Sequence, residues 1–472
     1  MRDIALVVFF LACVPFMLKK PSLGVIMWVW LSVMNPHRLT YGFAYDLQFA
    51  AATAGITFIA LFITKEERRL TLTPPVVALA LFTMWICLSS LFPFHEGSGY
   101  DMWSRVMKIM LMTFVALTVI HTKKQIHWMV WTIVFSLAFY GAKGGLFTLA
   151  HGGNFLVWGP EGSFIEGNNE VALAFVMTIP LMRYVQIRFR KKWQKWGMTA
   201  VMGLTALAAI GSHSRGALLA IAAMAVFLWW KSRNKFTMGF MLIAAGVLML
   251  SFMPTEWFTR MQTIESYDQD SSAQGRINAW WMAFNLAKDR LFGGGFEIYD
   301  YEIFGKYAPN PLDVHAAHSI YFQVMAEHGF IGLFLFMAIG AFTWRAATDA
   351  KRKANGVPEL DWVGSLMDMV KVSMVGYGVG GAFLSLAYFD VPYYITVIVV
   401  ATRALVLATQ KTQVPSARSD RLARRDRFGS VVVSDDAIDE PMRPSPRRPD
   451  NWRGHGAYAR PARVVKTGEI LE

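Results

Sequence analysis

The chain has 472 residues, 54% hydrophobic and only 17% charged, whereas an average soluble domain is roughly one quarter charged. That composition excludes a string of soluble domains and turns the length into one membrane-embedded, all-α helical bundle with attachments. The net charge of +13 does not call for nucleic acid, because short cytoplasmic loops of such bundles collect Lys and Arg.

Two short apolar runs, 3–18 and 22–34, flank Lys19-Lys20-Pro21 at the start of the chain. We read them as one kinked element, which gives about twelve spans; a tight pair, giving thirteen, is the alternative. An uncleaved start fits better than a signal peptide, since no clear small-residue cleavage site follows the first run. Eleven further spans are expected near 47–64, 74–93, 103–121, 126–149, 169–187, 195–211, 215–230, 236–252, 318–344, 366–387 and 390–409. Cys13 and Cys87 both lie in apolar runs and read as small packing residues.

The loops set the orientation. Lys65 to Arg69, Lys123-Lys124, Arg188 to Lys195, Lys231 to Lys235 and Arg345 to Lys353 are basic and fall in alternate loops, so they belong inside. Phe94 to Asp101, His151 to Asn168 and the long island 253–317 then face outside. The membrane-embedded bundle is expected over 1–409, with 253–317 as its large outside loop. The tail 410–472 is rich in Arg, Pro, Ser and Asp and is expected to be a disordered, basic, cytoplasmic segment.

The island carries most of the candidate chemistry. A helical pattern runs from Arg276 to Arg290, with Trp280, Ala283, Phe284 and Ala287 on one stripe. Phe292-Gly293-Gly294-Gly295-Phe296 ends it; with no strand before and no Gly-Lys-Ser after, these glycines read as a helix terminator rather than a phosphate loop. The next span opens at His318. A lone histidine at a helix start is commonly a cap, but an ionisable group within a span usually has a function. A neutral imidazole there can take a proton from an attacking hydroxyl. His315 is its local competitor. Glu327, nine residues on, lies too deep to touch His318 and is expected to tie helices together.

Arg215 stands just after Gly211-Ser212-His213-Ser214, at the mouth of another span. It is either an interfacial anchor or a bidentate cation for phosphate; Arg276 and Arg260 share its outside face. Arg105 and Lys108, three apart on one helix, and Lys143, in Gly141-Ala142-Lys143-Gly144-Gly145, are cations of lower rank, for which a structural role is favoured. There is no Walker motif, no His-Glu-x-x-His and no Gly-x-Ser-x-Gly. No metal or cofactor is expected. Outside the cell membrane there is no ATP, so a reaction there needs an already activated donor.

The ordered set Ser214-Arg215-Gly216, Arg276 with Trp280, Gly293 with Gly295, His318-Ser319, and Glu327 with Gly329 resembles the O-antigen ligases, within the wider group that shares a polymerase/ligase C-terminal region. The likeness covers roughly 160 to 345. Met34 to Gly42 and Lys143-Gly144-Gly145 resemble a subgroup described as O-glycosylation ligases. That family often has Asn-Pro-Asn where this chain reads Gly167-Asn168-Asn169, which leaves the role of Asn169 open.

The resemblance implies a multi-pass enzyme of the bacterial inner membrane with a periplasmic site. It implies an inverting glycosyltransferase that moves polysaccharide from undecaprenyl diphosphate to a lipid A–core hydroxyl. His318 would be general base or orient the acceptor, and Arg215, Arg276 and Arg260 would neutralise the diphosphate. An O-antigen polymerase and a protein O-oligosaccharyltransferase are rivals within the class. A transporter of polyprenyl-linked sugar is a rival outside it, disfavoured by the lack of repeated halves.

Overall fold

A computed structural model describes the backbone of residues 1–232, 234–262 and 271–428, and all their side chains except those of 260, 262, 271, 272 and 412–428. Among these residues there are sixteen α-helices and no strand. In chain order they are α1 (Arg2–Lys19), α2 (Pro21–Met34), α3 (Phe49–Ile63), α4 (Pro74–Ser89), α5 (Tyr100–Val119), α6 (Lys123–Ala150), α7 (Asn168–Arg188) and α8 (Lys192–Gly211). There follow α9 (Arg215–Lys231), α10 (Lys235–Leu250), α11 (Thr255–Gln262), α12 (Ser271–Asp289), α13 (Tyr301–Tyr307), α14 (Ile320–Ala354), α15 (Asp361–Gly380) and α16 (Asp390–Phe428). The chain divides into two units, Met1–Val414 and Pro415–Glu472. The helical backbone of α16 passes the boundary expected at 410, and the expectation for 429–472 lies outside the described residues.

Five helices are long and apolar enough to cross a membrane: α5, α6, α7, α14 and the Asp390–Lys411 part of α16. Four more, α2, α3, α4 and α10, are apolar but shorter, so twelve full-length spans are not reached by this measure. The chain is a helical membrane protein in composition and architecture. Its centre is α7, where every residue from Val171 to Met177 is fully buried; a helix apolar on all sides belongs inside a bundle. Helix α8 approaches α6 closely because a side chain at Gly141 would run into Thr205, and one at Gly145 into the backbone of Leu204.

The bonds between loops sort the bundle into two ends. At one, Glu66 accepts from the amide and hydroxyl of Ser22 and from Gln125 Nε2, Lys231 and Lys351 meet Asp368, and Gln410 donates to the Lys353 carbonyl. This basic end holds every loop read as inside. At the other, Asp3 accepts from the Gly42 and Ala44 amides, His213 Nε2 lies 2.8 Å from the Gly153 carbonyl, and Arg290 donates to the carbonyls of Phe92 and Pro93.

The first 36 residues correct one expectation. They form two helices, not a single kinked element: Lys20 alone is extended (φ −142°, ψ 103°) and Pro21 starts α2 at a position that suits proline. The chain reverses there, since Phe9 of α1 packs edge-on against Trp30 of α2 and Asp3 comes back to Gly42.

Candidate active site

The island folds onto α14 as a compact cap. Helix α12 begins at Ser271, five residues before the expected start, and buries Ala279, Met282, Ala283, Leu286 and Ala287 against Ile298, Phe304, Met325 and Ala326. The expected stripe is therefore rotated: Phe284 is 37% exposed. Asn278 on α12 donates to the carbonyls of Asn310 and Asp313 and accepts from the Asn310 amide, which pins the loop that leads to His318.

Helix α14 is not one continuous span. At Gly329 the backbone takes φ 67° and ψ −173°, which only glycine adopts readily. A break frees carbonyls that must find donors inside a membrane protein. Gly294 N–H donates to the Ala326 carbonyl and Gly295 N–H to that of Glu327, each at 2.9 Å, and Trp85 Nε1 donates to the His328 carbonyl at 2.8 Å. The Gly293-Gly294-Gly295 run, read as a helix terminator, is a strap that completes the hydrogen bonding of another helix.

His318 stands two residues before the first half of α14. Its backbone is left-handed (φ 42°), as is that of His213 (φ 57°); each precedes the N-cap serine of a helix, Ser319 of α14 and Ser214 of α9. Trp280 Nε1 donates to the Ala317 carbonyl at 2.7 Å, and its ring stacks on Phe322 at 4.8 Å, so α12 clamps the histidine from both sides in sequence. His318 Nδ1 is buried and has no hydrogen-bond partner among the described residues. Burial, then Arg276, then His315 push its pKa down to about 4, so the ring is neutral at physiological pH. His315 is different: it is 45% exposed and its Nδ1 lies 2.8 Å from Asp313. Of the two, His318 has the sheltered, uncommitted nitrogen.

Arg276 stands within electrostatic range of His318 and of Glu170 in the first turn of α7. The neighbouring Asn168 donates to the Ser212 carbonyl at 2.8 Å, tying the start of α7 to the turn before Arg215. Thus Asn168, rather than Asn169, makes the cross-link. Arg215 is half-buried at the start of α9, where the Ser214 hydroxyl accepts from Ala217 N–H. Helices α9 and α14 share a neighbour: Gly216 lies against Gly380 and Phe383, and Gly381 against Ile320. Arg215, Arg276 and His318 therefore gather at one end of the bundle, opposite the basic loops.

Other expected residues lie apart. Arg105 and Lys108 are exposed on α5, Arg105 over the Phe164 ring at 5.4 Å. Lys143 is exposed on α6, turned away from the glycines that face α8. The Arg260 side chain lies outside the described residues. Glu327 is 4% exposed and accepts from the Tyr388 hydroxyl and, at 3.4 Å, from Gln323 Nε2; Gln323 accepts from Ala387 N–H. Glu327 ties α14 to the turn that precedes α16 rather than to another helix. Sequence reasoning missed Glu170, Gln323 and Tyr388; an acid in the first turn of an apolar span was a signal for the first. No group of three His, Cys, Asp or Glu side chains among the described residues is arranged to hold a metal ion. An apolar cavity of 850 Å³ between α4 and α5 has Gly295 and Phe296 in its wall and leaves out His318.

Residues 1–189 match a family of unknown function (DUF5935). A search of curated proteins found no match. Residues 200–337 match the O-antigen ligase family model; this segment contains Arg215, Arg276, the glycine strap, His318 and Glu327, and its match supports an assignment to that family.

Proposed function

We propose that the chain is an inverting, metal-independent glycosyltransferase that moves a polysaccharide from undecaprenyl diphosphate to a hydroxyl of lipid A–core. The reaction takes place on the periplasmic face of a bacterial inner membrane. The observation that carries this reading is His318: a neutral imidazole with a sheltered, uncommitted nitrogen, beside a guanidinium at the end of the bundle away from the basic loops.

His318 accepts the hydrogen bond of the acceptor hydroxyl and aims its oxygen at the anomeric carbon. As the new C–O bond forms, the bond from that carbon to the diphosphate oxygen breaks, and its electron pair leaves on the diphosphate. Arg276 and Arg215 hold that developing charge. A ring with a pKa of about 4 is a weak base in the free enzyme. An anionic donor beside Arg276 cancels part of the field that depresses it, so the ring becomes a better proton acceptor once the donor is bound. The proton lost by the hydroxyl then passes through the imidazole to water or to the departing diphosphate.

The test is transfer by purified chain in lipid, with lipid-linked donor, each of three acceptors (lipid A–core, a repeat-unit donor, a protein) and a chelator. His318→Ala and Arg215→Ala should insert and fold normally yet lose on the order of a hundredfold or more in rate. Near-native turnover by either variant would refute the assignment, activity lost to the chelator would refute metal independence, and sugar gained only by another acceptor would reassign the reaction within the family.

A further inference from the structure

The basic end of the bundle holds an imbalance that transfer chemistry does not use. Lys371, in the middle of α15, is only 6% exposed. The charged groups around it are Lys231, Lys351 and Asp368. Asp368 is already engaged, with Lys231 at 3.2 Å and Lys351 at 2.6 Å. Three ammonium groups thus share one carboxylate. A buried, under-compensated ammonium in a membrane protein marks a place where an anion belongs.

The shape beside it defines that anion. Lys371 Nζ lies 5.3 Å from the ring centre of Trp344, Lys231 Nζ lies 5.0 Å from that of Phe227, and the two rings meet edge-on at 5.8 Å. Trp344 also closes the end of an apolar groove of 370 Å³ between α14, α15 and α16. Met374 and Val375 line this groove, and they stand three and four residues after Lys371, on the same face of α15. Gly340 opens the α14 wall, where an added side chain would meet nothing. From Trp344 to Phe336 that wall alone is about 12 Å long. A cationic head site therefore leads directly into a chain-sized apolar slot.

We propose that this is a binding site for an anionic phospholipid of the leaflet at the basic end. Its phosphate is held by Lys231, Lys351 and Lys371, and one acyl chain lies along the groove past Trp344 and Gly340. The lysine head site lies at the end of the bundle away from His318, while the far end of the groove reaches Ile320 and Tyr321; the proposal holds whatever reaction the other end performs.

Native mass spectrometry of the purified full chain, titrated with phosphatidylglycerol and with phosphatidylcholine of identical acyl chains, measures it directly. Two uncompensated lysine charges should favour the anionic lipid by roughly thirtyfold, and Lys371→Met should cut that preference by about fivefold. Lys351→Gln, at an exposed position, should weaken it in the same direction, and serves if the buried variant does not fold. Gly340→Leu should weaken retention of both lipids by filling the slot. Equal binding of the two lipids, or a preference unchanged in the lysine variants, would overturn the proposal. So would full competition by inorganic phosphate or glycerol phosphate, which would reduce the site to a free-anion site.

Discussion

Replacing Arg276 with glutamine separates the two tasks assigned to it, holding the leaving group and setting the charge state of His318. Three causes bring the imidazole from 6.5 to about 4, burial first, Arg276 second and His315 third. Arg276 therefore accounts for less than half of the fall, and its loss should raise the His318 pKa by about one pH unit at most. His318 must be neutral to accept a proton, so transfer fails as pH drops through its pKa. The acid limb of kcat/KM, which reports the free enzyme, should lie near pH 4 in the native chain and shift upward in Arg276→Gln. At pH 7 both rings are neutral, so the rate loss measured there, roughly a hundredfold, reports the lost hold on the leaving group, offset in part by a more basic ring. The assay is a pH series of initial rates with lipid-linked donor. An acid limb that stays in place or moves down in the variant would refute the electrostatic link between these side chains.

Other perturbations test the frame around the site. Gly329→Ala places a side chain at φ 67° against the Leu291 carbonyl, so it should lower unfolding stability by about 3 kcal/mol or prevent folding, while Gly340→Ala, in open space, should be neutral in the same thermal scan. Glu327→Ala leaves the buried Tyr388 hydroxyl without its acceptor and should lose about 1–3 kcal/mol; Glu327→Gln keeps an acceptor oxygen and should restore most of the transfer rate, and equal loss in both would refute a positioning role. Deleting 411–472 leaves the Gln410 bond to Lys353 intact, and the truncated chain should retain full transfer in the reconstituted assay.

The sequence disclosed what depends on single residues and their immediate neighbours. Basic loops alternate, and the structure gathers them at one end. What stayed hidden needed partners distant in the chain. Lys19-Lys20-Pro21 announces a break, but reversal is fixed by Asp3 meeting Gly42 and by Ser22 meeting Glu66. The interruption at Gly329 is invisible in an otherwise helical pattern, because its feasibility depends on donors thirty-odd residues upstream. Phe284 carried the right period and the wrong face, since the rotation of α12 is set by Ile298, Phe304 and Met325. For the site, position singled out His318 and Arg215. The choice of His318 over His315 required knowing that Asp313 already occupies the latter.

The glycine strap has a bearing on how the chain is made. A ribosome completes Gly293 to Gly295 before any of α14 emerges, so the amides that will serve the Ala326 and Glu327 carbonyls already exist when the interrupted helix arrives. The outer half of that helix has no self-sufficient backbone to offer the lipid. Insertion of α14 and closure of the cap over it thus amount to a single event in biogenesis, and a chain cut between residues 295 and 320 would be left with a stem that the bilayer rejects.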